Sequence, residues 1–185
     1  TQRVLAELLA ISMRPDPFEQ RLQFALELIL STPWLALKGS GSIFLTDTES
    51  GNLRMAARHG LSAHIEQACA TVEMGHCLCG RAAETRELLF ADCIDDRHEV
   101  QFSGMSEHGH YCAPILFDET LLGVLNLYLD AHHRQTPEEL QFITAAAHAV
   151  GGMIRRNQAE QQLRYHAYHD GLTRMPNRIL FMDRL

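Results

Sequence analysis

The order of elements along this chain predicts an α+β fold, with a central antiparallel sheet. Helices from both termini pack on one face, and a wall of loop and short helix covers the other. Three observations predict it. Both ends repeat their apolar residues at intervals of three and four, the helical period. The middle reads as short apolar runs separated by turn residues, and two of those runs meet at a tight polar turn, the mark of a hairpin. Helices segregated to the ends of an antiparallel sheet are one of the few stable layered solutions. With 185 residues and 46% apolar content, the chain can bury one core.

The elements follow in order. Val4, Leu5, Leu8, Leu9 and Ile11 fall at helical spacing. The RPDP run at 14–17 ends that helix, because each proline restricts itself and the residue before it. Phe18, Leu22, Ala25, Leu26 and Ile29 share one face of a second helix that closes by Thr32 and Pro33. Then the period changes. Residues 39–46 and 53–58 read as strands joined by a polar turn at 47–52, and 62–70 as a short helix. A helix over 78–86 leads into a strand at 88–91. The polar, aperiodic stretch 93–107 is expected to cross the sheet as an irregular loop. Residues 110–117 and 122–129 form the clearest hairpin, joined at Asp118, Glu119 and Thr120, and their near-continuous apolar character suits central strands. Trp34, the one tryptophan, is expected in the core.

The last helix has a strong start. Thr136 can cap it, Pro137 suits the first helical position, and Glu139 sits where a capping box places its carboxylate. Leu140, Ile143, Ala147, Val150 and Ile154 read as the seam of a two-helix contact. The polar segment RRNQAEQQLR beyond them gains little from an intramolecular core, so it is expected to project towards another domain or subunit.

Charge and composition exclude some partners. Sixteen basic against twenty-three acidic residues leave a net charge of -7, which speaks against an electrostatic grip on nucleic acid or an anionic membrane. No apolar run approaches membrane-spanning length, and the first ten residues lack a signal-peptide profile. The five unevenly placed cysteines fit reduced thiols better than a disulfide framework, so a cytoplasmic location is expected. The chain lacks an initiator methionine and stops inside an expected helix, which reads as a piece of a longer protein.

Two resemblances then enter. Residues from about 18 to 156 look like a GAF domain, a small-molecule-sensing relative of the PAS fold. The resemblance rests on the element order, the glycine-led G-H-C-L-C-G-R-A-A-E-T from Gly75, the strand through Ala113-Pro114-Ile115 and the run Leu122-Gly123-Val124-Leu125. The stretch H-D-G-L-T-R-M-P-N-R from His169 resembles the H-D-x-L-T-x-L-P-N-R opening of a GGDEF domain, the diguanylate cyclase module, with Arg174 where glycine and Met175 where leucine are commoner. Together they imply an N-terminal helix at 1–15, a GAF domain at 16–156, a signalling helix at 157–168 and the start of a GGDEF domain at 169–185. The nucleotide and magnesium residues of that module would lie further on, so this chain is expected to be a regulator without catalytic activity. The resemblance implies a homodimer through the terminal helices, a sensor that controls cyclic di-GMP signalling by changing how two output modules meet.

Four of the five cysteines, Cys77, Cys79, Cys93 and Cys112, fall in one segment with His98, His108 and His110. In a GAF domain that segment walls the ligand pocket, which makes Cys79, Cys93, His98, His110 and Tyr111 the expected ligand-binding residues. Thiolate and imidazole together suit zinc or iron, so a subset of Cys77, Cys79, Cys93, His98, His108, His110 and Cys112 is a candidate metal site. Two other readings stand beside it. Small buried cysteines can simply pack helix against sheet, with solvated histidines on the loop. A redox-active thiol is the third. The run from Cys79 to Thr85 is similar to that of free methionine sulfoxide reductases on the GAF fold, but residues 101–107 hold no cysteine where that family carries its catalytic one.

Overall fold

The computed structural model describes residues 2–35, 37–102 and 104–168, together with Met175 and Asn177. Helices α1 (Gln2–Ser12) and α2 (Phe18–Leu30) precede strands β1 (Leu37–Thr46) and β2 (Leu53–His59). Helix α3 (Ala63–Ala68), strand β3 (Thr71–Val72), helix α4 (Cys77–Thr85) and strand β4 (Leu89–Ala91) come next. Strands β5 (His108–Phe117) and β6 (Thr120–Asp130) lead into helix α5 (Pro137–Tyr168). Among the described residues the strands make one antiparallel sheet in the order β3-β2-β1-β6-β5-β4. The α+β class and the central β5–β6 hairpin are as expected. Strand β3 was not foreseen, because its two residues are too few to show a period. The hairpin turns on two residues rather than three: Asp118 and Glu119 have φ of 46° and 62°, and Thr120 already pairs with Phe117. Such left-handed turns match the right-handed twist of the strands.

The twofold alternation of the strands sorts the core into two layers. Tyr111, Ala113 and Ile115 of β5, with Leu125, Leu127 and Leu129 of β6, face α1, α2 and α5. Cys112 and Val124 point the other way, onto α4. Each fully buried Leu, Ile or Val on these faces contributes about 1.5–3 kcal/mol relative to exposure. The capping box of α5 is formed: the Thr136 N–H donates to Glu139 Oε2 at 2.9 Å, and the Glu139 N–H donates to Thr136 Oγ1 at 3.3 Å. The stripe through Ile143, Ala147, Val150 and Ile154 is covered by β5 and α1 of the same chain, not by a second copy. Trp34 departs from expectation. It is 42% exposed, with an edge contact of its ring on Phe142, centroids 5.2 Å apart.

Beyond Ile154 helix α5 has no fully buried residue, and it exposes Leu163, Tyr165 and Tyr168. Asn177 folds back on its end. Its side-chain amide donates to the Ala167 carbonyl and its N–H to the Tyr168 carbonyl, both at 2.8 Å, satisfying two of the carbonyls a helix end leaves open. The remainder of the motif at 169–178 lies outside the described residues apart from Met175. Among the described residues no helix is long and apolar enough to cross a membrane.

Candidate functional site

Helices α3 and α4 and the loop residues 92–102 roof the sheet face that the long helices leave free. Helix α4 lies unusually close to the chain before it. A Cβ on Gly80 would stand 2.1 Å from the Glu73 carbonyl oxygen, so only glycine fits there. This seats Leu78, Cys79, Ala82 and Ala83 against Phe44, Cys112 and Val124. The loop is tied to the start of α4 by Glu99. Its carboxylate accepts from the Cys77 N–H and pairs with Arg81 at 2.9 Å and His76 at 2.8 Å. The Cys77 N–H foremost, then Arg81, holds that carboxyl below its ordinary value. With Glu99 pulled outward, its neighbour His98 turns inward and is 4% exposed.

There His98 meets two histidines of β5. His108 and His110 share a face because they are two residues apart on a strand. The His98 Nε2 stands 3.1 Å from Nε2 of His110 and 3.3 Å from Nε2 of His108. All three rings are buried, with ligand atoms within 4.8 Å of one another. The outer nitrogens of the two strand histidines are spoken for: His108 Nδ1 donates to the Ser106 carbonyl at 2.7 Å, and His110 Nδ1 to Asn126 Oδ1 at 2.9 Å. Neither oxygen can donate, so in the neutral rings both Nε2 atoms present lone pairs inward. Burial foremost, then the neighbouring rings, drops the His110 pKa to about 3 and pushes His98 down as well.

The expected site residues do not gather into one group. His98, His108 and His110 converge, and among the described residues no thiol joins them. Cys79 and Cys112 form a pair of their own, Sγ to Sγ 3.8 Å, with Cys112 also donating to Asn126 Oδ1 at 3.5 Å. The contact with Cys112, then burial, raises the Cys79 pKa, and burial lifts Cys77 and takes Cys69 to about 12. Cys77 lines the cavity, whereas Cys93 does not. Tyr111 lies on the opposite sheet face, where its hydroxyl donates to Glu139 at 3.0 Å. Strand alternation puts it there, so a ligand on the histidine side does not meet it. The reading of solvated loop histidines fails too, since His98 and His108 are buried. Sequence reasoning missed Ser42, Asn126 and Tyr128. Asn126 is buried between His110 and Ser42, and the Tyr128 ring packs on His110 at 4.4 Å and His108 at 5.1 Å. Their signal was a lone polar residue within the apolar run of β6, sharing its face with position 128.

The cavity beside these rings has a volume of about 30 Å³ and is walled by Phe44, Leu61, Ile65, Val72, Leu78 and Tyr128 among others. That is room for an ion, a water or a diatomic, far below the several hundred Å³ an organic ligand occupies. A surface groove of about 240 Å³, lined by Lys38, Ser62, Phe102, Met105 and Ser106, shares Leu61, Ile65 and Tyr128 with the cavity and reaches His108.

Residues 16–155 match the GAF domain family. No curated protein matches the chain. The fold is similar to that of the GAF domain from a Coxiella burnetii phosphoenolpyruvate-protein phosphotransferase, with TM-score 0.74, 20% identity, and 87% of this chain and 96% of that one covered. The corresponding Acinetobacter domain gives 0.69 and 14%, covering 85% and 94%. Free methionine-R-sulfoxide reductase from Neisseria meningitidis, solved in complex with its substrate, gives 0.70 and 16%, covering 86% and 90%. At these identities the likeness is one of fold, and the family match rests on the sequence itself. The chain belongs to the GAF domain family.

Proposed function

We propose that this chain is the sensory region of a dimeric, cytosolic cyclic di-GMP signalling protein. Its parts are an N-terminal helix at 1–15, the GAF domain at 16–156, a signalling helix at 157–168 and the opening of a GGDEF output domain at 169–185. The chain itself regulates and does not catalyse. One observation carries the reading: β5 bears His110 at the cavity, with His108 and Cys112 beside it on the same face, and on the other face Tyr111, Ala113 and Ile115 against α5. A guest that shifts β5 shifts the helix behind it. The Asn177 bonds to Ala167 and Tyr168 support a mechanical link from the end of α5 to the output domain.

The thiol reading is less favoured. Burial raises the Cys69 and Cys77 pKa, and the contact with Cys112, then burial, raises that of Cys79; each shift disfavours the thiolate, which is the nucleophilic form. No methionine sulfoxide turnover is expected from the purified chain. The output reading is tested on the protein that carries this region, purified with its whole sequence beyond Leu185. It is assayed for cyclic di-GMP synthesis from GTP and for cyclic di-GMP hydrolysis. Either activity, altered by a substitution at the β5–α5 contact, is the expected result. Absence of both overturns the output assignment.

A further inference from the structure

We infer that His98, His108 and His110 form a site for one divalent first-row transition ion, with an open coordination position facing the internal cavity. The inference names the ligand class of the sensory domain proposed above; it rests on that reading for what binding achieves, and not for whether binding occurs.

The geometry comes first. Nitrogens bound tetrahedrally to one zinc at about 2.0–2.1 Å stand roughly 3.3–3.4 Å apart. The His98 Nε2 lies 3.1 Å and 3.3 Å from its two counterparts, and all three ligand atoms lie within 4.8 Å of one another, so an ion among them needs the rings to adjust onto a common centre. The proton inventory comes second. His108 and His110 spend their N–H on Ser106 and Asn126, as metal-bound histidines do on their outer partners. Two inward lone pairs remain, and one N–H from His98 can answer only one of them. The His98 Nδ1 is itself buried with no hydrogen-bond partner among the described residues. A cation that accepts the three Nε2 lone pairs resolves the inward shortfall, and the His98 Nδ1 then carries that ring's proton. Third, three imidazoles without a carboxylate favour zinc, cobalt, nickel, copper or iron over magnesium or calcium, which require oxygen. The groove at His108 supplies an access route, and the roughly 30 Å³ cavity leaves the fourth position for a water or a diatomic.

The test uses the 185-residue chain, stripped with a chelator and titrated with Zn(II) against a chromophoric competitor at neutral pH. One equivalent is expected, weakened by about 100-fold or more in His98→Gln and His110→Gln, since even outer partners of a metal ligand are worth about 10–100-fold. Cys79→Ser and Cys93→Ser should bind as the natural chain does. Co(II) should give the visible bands of a four-coordinate site without thiolate charge transfer, a readout that needs no variant. His98 sits on a loop, and unchanged thermal unfolding of metal-free His98→Gln checks its fold. Zinc bound equally by His98→Gln would mean surface histidines and would overturn the site, as would its loss in Cys79→Ser or no binding at all. Cyclic di-GMP activity without zinc binding would sink the metal site alone; zinc binding without that activity would sink the output reading alone.

Discussion

His110 donates from Nδ1 to the Oδ1 of Asn126 on the neighbouring strand, 2.9 Å away, and that single bond turns its other ring nitrogen towards His98. The same amide donates to Ser42 at 3.4 Å, so one side chain spans three strands beneath the histidine cluster. Asn126→Leu leaves a buried N–H and a buried hydroxyl without partners. The expected cost is about 1–3 kcal/mol in urea unfolding, with zinc affinity down about 10–100-fold. Asn126→Asp keeps an acceptor for His110 and should retain most of the affinity.

Two adjacent glycines on α5 should respond with opposite signs. A Cβ on Gly151 would stand 2.8 Å from the Leu116 carbonyl oxygen, so Gly151→Ala pushes α5 off β5. Its expected cost is about 1–3 kcal/mol. A Cβ on Gly152 meets nothing within 4 Å, and Gly152→Ala should stabilise by up to about 1 kcal/mol through helix propensity. Thermal or urea unfolding of the two variants decides it.

How much of this was open to sequence reasoning depends on the period of each segment. The shared face of His110 and Cys112 follows from strand alternation alone, and the capping box of α5 from Thr136, Pro137 and Glu139; His108 joins that face because β5 begins two residues before the expected start at 110. The same alternation sends Tyr111 to the far side, which its inclusion among ligand residues overlooked. His98 could not be placed, because it comes from an aperiodic loop whose path is set by Glu99 gripping the start of α4. Cys77, Cys79, Cys93 and Cys112 drew attention by their density. Yet the packing of α4 pairs Cys79 with Cys112 and leaves the three histidines together without a thiol.

Glu139 gives a pH signature. Burial alone would raise its pKa, but hydrogen bonds from His133, the Thr136 N–H and Tyr111 outweigh it and bring the value below the ordinary 4.5. A carboxyl depressed on folding contributes stability that is complete well above pH 4.5 and is lost as pH falls through the folded value. The natural chain should therefore lose stability more steeply on acidification than Glu139→Gln. Unfolding midpoints measured between about pH 7 and 3 track the difference.

The exposed end of α5 should carry the dimer. Leu163 is 71% exposed on a stretch of α5 with no fully buried residue. Leu163→Glu should shift the chain from dimer to monomer in sedimentation equilibrium while moving the stability of the folded domain by less than about 0.5 kcal/mol. A natural chain that is monomeric at high concentration would contradict the pairing of helices.

Coupling between the histidine cavity and the helix behind β5 is the central claim. Amide hydrogen exchange, measured with and without Zn(II) in the natural chain and in His98→Gln, tests it most directly. Slower exchange in β5 and along α5 past Ile154, in the natural chain only, is the predicted result. Protection confined to the loop around His98, with α5 unchanged, would contradict it.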